Sequence, residues 1–428
     1  MKTRGTTSSW FRASVLVLLL AGGLLPPLPN GIDVTMLAAG MAGLLLMLAL
    51  LRSPRSVGPV GTFVVPVFIV LFLPVLAAGI PAGGYGREKV LGLIATGLSA
   101  AAACLLCGRR DLEVFARVWV VMSLLLAVAS LTGLETAAGR AMGFGSNPVW
   151  LARALTLGMI AAIWLAMQRR GRTVSTLALL AVMGAALIST GSRGPTLGLI
   201  VALLFFGLRA LPRITMGMAA VAHFAAAAGV TWLALAPRDG SLGRFFDLVS
   251  SPGDALESSR RTDLWGDTLP VIADHPLGVG YGRWSQHVGA GPLTRYPHNL
   301  FLELFAEGGW FVGAALLSVT VAVLYRLLRQ SRTGDPSAVL VFAMLLAETL
   351  AVNVSGDLNA RTFFLLLTLG YVVTRQTRSS PFLRSISLSA LTSSSSSSRV
   401  APVVSARRTK FEGGDSSGPV PPLNMLPR

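Results

Sequence analysis

The chain of 428 residues is 53% hydrophobic and only 13% charged, with a mean hydropathy of +0.66. So apolar a chain cannot clothe a hydrated surface everywhere, which excludes an ordinary soluble globular protein and leaves a polytopic membrane protein. The net charge of +17 raises nucleic acid as a partner, but the placement of the Lys and Arg residues, taken up below, argues against it.

Apolar segments near the roughly 20 residues that a helix needs to cross a bilayer core of about 30 Å recur about twelve times. They span 13–29, 32–51, 59–80, 89–107, 112–132, 149–167, 173–190, 194–211, 214–236, 308–328, 337–354 and 361–376. The first follows Lys2, Arg4 and Arg12, and the "LPPLPN" after it offers no small-residue cleavage site, so it is expected to be a membrane helix and not a signal peptide. Cys104 and Cys107 form a C-x-x-C inside the fourth segment with no βαβ pattern around it, and read as small core hydrophobes.

Basic residues fall in the loops that an N-in, C-in topology places inside: Arg52 and Arg55, Arg109 and Arg110, Arg169, Arg170 and Arg172, Arg209 and Arg213, then Arg326, Arg329 and Arg332. Inside loops and tail hold 23 of the 36 basic residues and outside ones 12, with Arg117 within a helix, as the positive-inside rule requires. The charge is therefore topological, with membrane lipid as its partner and no nucleic acid implied. Such a topology leaves one long external loop, 237–297. Its amphipathic stretch 254–276 has Asp254 as N-cap and Pro270 as a break or kink, and a Gly-rich turn, "GVGYGRW", follows. That turn lacks the third glycine and βαβ context of a dinucleotide site; His275 and His287 are isolated, without ligand spacing. Beyond 377 the chain turns to Ser, Pro and Arg and is expected to be a disordered cytoplasmic tail.

The expected fold is thus all-α. A cytoplasmic N-terminus (1–12) precedes nine transmembrane helices over 13–236 and the large external loop with short amphipathic helices over 237–297. An external helix start and three further spans occupy 298–376, and the tail 377–428.

Three residues stand out. Arg193 sits in "STGSRGPTLG" between two apolar spans with almost no loop to shelter it; alone it reads as an interfacial Arg snorkelling to headgroups. Arg261, on the loop helix, shares a face with Trp265 and with Glu257, a pair worth only about 0.3–0.5 kcal/mol on an exposed helix. Arg260 faces Asp263 and Asp267 and looks better neutralised, so Arg261 is the stronger ligand candidate. Pro297 can begin a helix at its first position, placing His298 in a first turn that faces the aqueous loop, where a mostly neutral imidazole qualifies as a general base. Without further information His298 reads equally as a helix-start histidine bonded to loop backbone. Glu303 lies about 140° around that helix from His298, while Asn299, Glu303 and Glu307 form a polar stripe suited to a neighbouring helix.

Taken together, "RTDLWGDTLPVIADHPLGVGYGRW" (261–284), "PHNLFLELFAEGGWFVG" (297–313) and "STGSRGPTLG" (189–198) resemble, in this order, the O-antigen ligase and polymerase family. The similarity extends to "GRAMGFGSNPVWLARAL" (139–155) and faintly to "NVSGDLNARTFFLLLTLG" (353–370), covering roughly 140–370. The resemblance implies a metal-independent membrane glycosyltransferase without cofactor, taking a glycan from an undecaprenyl diphosphate carrier at the outer face of the bacterial cytoplasmic membrane. Ligases pass it to lipid A-core, polymerases to another lipid-linked glycan. It also implies that Arg193 and Arg261 hold the diphosphate and that His298 is the base. Arg283, Arg295, Asn299, Glu303 and Arg140 are further candidate substrate-binding positions. Trp150 departs from the pattern, standing where the family has a small or polar residue. Two other classes fit a bundle of this composition: a lipid-linked glycan transporter, for which charged residues such as Glu348 in the eleventh span would count, and a structural subunit, in which Arg261 and His298 would point apart.

Overall fold

The computed structural model describes residues 4–26, 34–52, 58–79, 81, 84–107, 111–132, 136–137, 140–142, 144, 147–168, 173–210, 261–289 and 294–376. The expected span 214–236, the loop with Asp254, Glu257 and Arg260, and the tail from 377 lie outside them. Each other apolar segment is a helix: α1 (Arg4–Ala21), α2 (Val34–Arg52), α3 (Val65–Ala78, entered through a π-turn), α4 (Gly84–Leu106), α5 (Leu112–Leu131), α6 (Pro148–Gln168), α7 (Thr173–Ser189) and α8 (Arg193–Ala210). Beyond residue 260 follow α9 (Arg261–Asp274), α10 (Trp284–His287), α11 (Leu300–Arg332), α12 (Pro336–Ser355) and α13 (Arg361–Gln376). A two-residue hairpin, β1 (Thr136–Ala137) and β2 (Arg140–Ala141), joins α5 to α6.

Among the described residues five stretches are long and apolar enough to cross a membrane: Val60–Ala77, Leu112–Leu131, Pro148–Gln168, Leu300–Arg332 and Pro336–Ser355. α1, α2, α7 and α8 contain shorter apolar stretches, and α4 carries Arg87, Glu88 and Lys89 in its first turns. The expected count of about twelve spans is thus met by five on length and apolarity.

The helices pack as a bundle, with α12 touching α6, α8, α11 and α13, and α1 touching α2, α4 and α5. Leu16, Leu93, Leu126, Leu151, Leu304, Leu340 and Phe363 form part of one continuous core. Leu76, Val174 and Leu208 face outward and exposed, as lipid-facing side chains do. Charges inside the bundle are paired: Arg153 on α6 meets Glu348 on α12, both buried, which accounts for the acidic residue noted in that span. Cys104 and Cys107 are buried, in line with a packing role.

A second, small core of Val271, Val279, Trp284 and Ala306 ties α9 and α10 to the start of α11. Trp284 donates from Nε1 to Thr268 (3.0 Å) and from its backbone N–H to Glu307 (3.3 Å). The Gly-rich turn docks in a break of α11 at Gly309, where Val279 N–H reaches Ala306 O (2.9 Å), Gly280 N–H reaches Glu307 O (3.0 Å) and Trp310 N–H reaches Pro276 O (2.9 Å). Gly278 and Gly309 have φ of 82° and 83°. A Cβ on either would stand 2.5 Å from backbone of the other segment, so only glycine fits this junction.

Candidate functional site

Arg193 is the first residue of α8, after the turn Thr190–Gly191–Ser192. This turn is clamped from outside: Arg140 on β2 donates from Nε to Thr190 O (2.7 Å) and from Nη2 to Ser192 Oγ (2.9 Å). Arg140, a substrate-binding candidate, thus acts at least in part as a brace for the turn. α8 lies so close to α12 that a Cβ at Gly198 would be 2.6 Å from Ala347 O, and Gly194 abuts Val354. The close approach brings the half-buried Arg193 to the same end of the bundle as Ser355.

Arg261 opens α9 and reaches that end too, donating from Nη2 to Ser355 Oγ (3.1 Å). Burial, then the nearby Arg193 guanidinium, lowers its pKa. Two guanidiniums from parts of the chain 68 positions apart (261 − 193) therefore sit near enough to repel.

His298 was expected in the first turn of a helix begun by Pro297. Instead Asn299 is the N-cap: its Oδ1 accepts from Phe301 N–H (3.0 Å) and Leu302 N–H (3.1 Å), and α11 begins at Leu300. An Asn oxygen satisfies two orphan helix donors, which a proline at the first position cannot do. His298 lies just outside the helix in the left-handed region, φ 57°. A non-glycine residue held there costs of order 1–3 kcal/mol. Neighbours hold it: Trp265 on α9 donates from Nε1 to Pro297 O (3.0 Å), and the Tyr296 ring packs on the imidazole at 4.4 Å between centroids. Burial first, and Arg261 second, depress the imidazole pKa to about 4, so at neutral pH the ring is uncharged with a nitrogen able to accept a proton.

Arg193, Arg261 and His298 thus stand at one end of the bundle, with Arg261 near enough to both for its charge to be felt. The other candidates divide. Glu303 and Glu307 are buried, both paired to Lys89 of α4, whose ammonium is 2.5 Å from Glu307; Glu303 also accepts from Leu358 N–H (3.0 Å). The polar stripe therefore does meet a neighbouring helix, and Glu303, with Asn299, anchors the start of α11. Arg283 is exposed at the start of α10. Arg295 is exposed, 3.7 Å from Glu88 and over the Tyr85 ring. His275 and His287, taken as isolated, pack edge to face at 5.0 Å because α10 folds back on the end of α9. Sequence reasoning missed Tyr296, Ser355 and Lys89. Only Lys89 carried a signal of its own, as a charge just inside an apolar segment.

The comparisons with known proteins bear on this region. Residues 177–317 match the family model described as O-Antigen ligase. An O-antigen ligase of Pseudomonas aeruginosa is 30% identical over 236 residues, which cover 53% of this chain and 52% of that protein. The chain spans about half the length of the curated relative it matches. The family that the motifs resemble is therefore the family that the comparisons match, and the matched segment holds Arg193, Arg261 and His298 together.

Proposed function

We propose that the protein is a membrane glycosyltransferase of the O-antigen ligase type. It passes a glycan from undecaprenyl diphosphate to lipid A-core at the outer face of the cytoplasmic membrane, with both termini on the inner side. The observation that carries this reading is the convergence of two guanidiniums and a neutral imidazole from three separate segments at one end of an apolar bundle.

Arg193 and Arg261 bind the diphosphate oxygens. The acceptor hydroxyl oxygen attacks the anomeric carbon, the bond from that carbon to the diphosphate oxygen breaks, and its electron pair leaves with undecaprenyl diphosphate. His298 takes the hydroxyl proton on its free ring nitrogen, a contribution typically of about 10²–10⁴ in rate. The guanidiniums neutralise charge as it grows on the leaving group, the work that a divalent cation would otherwise do. Donor binding also prepares the base: with Arg261 neutralised by an anion, the imidazole's proton affinity rises towards that needed at neutral pH.

A deletion strain examined for envelope polysaccharide tests the reading. Full-length chains that accumulate on the carrier and never reach lipid A-core are the expected result. Attached single repeats would identify a polymerase, and lipid-linked glycan stranded on the inner leaflet would identify a transporter and overturn glycosyl transfer.

A further inference from the structure

Leu277, at the tip of the Gly-rich turn, is 91% exposed. A bare leucine on a loose loop would mean little, but this one is held from both sides. Trp310 N–H bonds to Pro276 O (2.9 Å), and a Cβ on Gly309 would stand 2.5 Å from the Leu277 carbonyl carbon. Trp310 also donates from Nε1 to Ile272 O (2.8 Å), one turn along α9 from Leu269. Leu269, Leu277, Trp310 and Phe311 are all exposed, an apolar patch across the junction of α9, the turn and α11 of the kind that marks a contact surface.

The length of α11 says what covers the patch. At 33 residues the helix runs about 50 Å, well beyond the roughly 30 Å of a bilayer core. No charged residue occurs between Glu307 and Arg326. Within that stretch the exposed Trp310, Leu317, Val321 and Tyr325 fall within about 80° of one another around the helix, a lipid-facing stripe. At its far end the Arg329 guanidinium lies over the Tyr325 ring, 6.0 Å from the centroid, an aromatic and a snorkelling cation as found at a membrane boundary. Trp310 and Arg329 are 19 positions apart (329 − 310), about 29 Å of helix. The stripe therefore matches one bilayer core, and its other boundary falls at the break at Gly309, where Leu277 docks.

We infer that the patch is a membrane-surface anchor: Leu277, Trp310 and Phe311 enter the lipid leaflet at the end of the bundle that carries Arg261, and α9 lies along the headgroups. The partner is the lipid surface itself, since the patch continues the lipid-facing stripe of α11. α9 is two-sided in the manner of an interfacial helix. Its exposed Asp263, Asp267 and Asp274 fall within about 40° of one another, and Leu269 lies at least about 120° away from them. Both ends of α9 are tied at this level: Ile272 to Trp310, and Arg261 to Ser355 (3.1 Å) at the end of α12, whose 20 residues span about 30 Å. What the anchor is for rests on the glycosyltransferase reading. It holds Arg261 at the depth of headgroup phosphates, where the diphosphate of a lipid-linked donor sits.

The test uses the full chain in vesicles of phosphatidylethanolamine and phosphatidylglycerol, with Cys104 and Cys107 replaced by Ala. Leu277→Cys and, as the water-facing reference, Asp267→Cys each carry a nitrobenzoxadiazole label; both side chains are exposed, so neither change disturbs packing. A lipid with a nitroxide on the fifth acyl carbon, the depth that an interfacial anchor reaches, should quench the label at 277 at least about twofold more than that at 267, and aqueous iodide should do the reverse. Equal quenching of the two labels by both agents, or stronger iodide quenching at 277, overturns the anchor. Quenching needs no turnover, so this result stands even if the protein transfers nothing and the glycosyltransferase reading fails. In a transfer assay in the same vesicles, Leu277→Asp should raise the KM for undecaprenyl-diphosphate-linked glycan by about tenfold with kcat within about twofold of wild type. An unchanged donor KM overturns the role of the anchor in setting the depth of Arg261.

Discussion

His298 shows how much one residue's backbone can say about its use. A left-handed histidine braced by Trp265, Tyr296 and the Asn299 cap is held in place before any ligand arrives. Because Asn tolerates the left-handed region far better than Ala, His298→Asn keeps the local backbone while removing the proposed base. Both His298→Asn and His298→Ala should lose transfer by about 10²-fold or more, and in thermal melts the Asn protein should be the more stable. The depressed pKa sets the pH dependence. A histidine whose folded pKa lies near 4 adds stability that is present above its ordinary value near 6.5 and is lost as pH falls through the folded value. In rate profiles, the acid limb of kcat/KM should lie near 4, and that of kcat higher, since bound diphosphate offsets Arg261. Coincident limbs near 6.5 would show that the imidazole is neither buried nor close to that guanidinium. The three proposed functional groups were picked out in the sequence by the motifs around them, since singly each read as an ordinary surface or helix-start residue. The pairing of Lys89 with Glu307 was not, since it joins residues 218 positions apart and depends on how α4 meets α11.

At the scale of elements, two junctions aim the site. Gly309 and Gly278 allow the Gly-rich turn to bond with the break in α11, and that junction holds α9, and hence Arg261, over the helix start. Gly309→Ala adds a left-handed penalty of about 1–3 kcal/mol and a backbone clash, so the unit of α9, the Gly-rich turn and α10 should loosen; faster amide exchange in 276–287, with the bundle unchanged, is the expected readout. The second junction is α6 with α12, where Arg153 and Glu348 meet in a dry interior. Arg153→Ala should destabilise by about 3–5 kcal/mol by leaving a buried carboxylate alone, and the double variant Arg153→Met with Glu348→Leu should recover most of it in denaturation experiments. Helix positions were readable from apolar runs. The start of α11 was displaced because Pro297 and Asn299 are both helix-start signals, and the side chain that satisfies two amide donors prevailed.

For the whole molecule, the arrangement of Lys and Arg and the packing of the helices agree on one consequence: the turns carrying Arg193, Ser355 and His298 share an end of the bundle. If that end is external, as the positive-inside pattern implies, a cysteine placed in the hairpin near Arg140 should label from outside intact spheroplasts, and one at Arg332 only after permeabilisation. The reverse pattern would put the diphosphate site on the wrong face for a carrier-linked glycan. The number of spans was less legible than their positions, because the apolar stretches within α1, α2, α7 and α8 are short and α4 carries charges in its first turns.

The most direct measurement is single-turnover transfer by purified protein with EDTA present, comparing wild type, Arg193→Ala, Arg261→Ala and His298→Asn on one undecaprenyl-diphosphate-linked donor. Wild type should transfer without metal. The two arginine variants should lose both donor binding and transfer, and His298→Asn should bind donor and fail to transfer it. Transfer by His298→Asn at the wild-type rate, or donor binding undiminished in both arginine variants, would contradict the account.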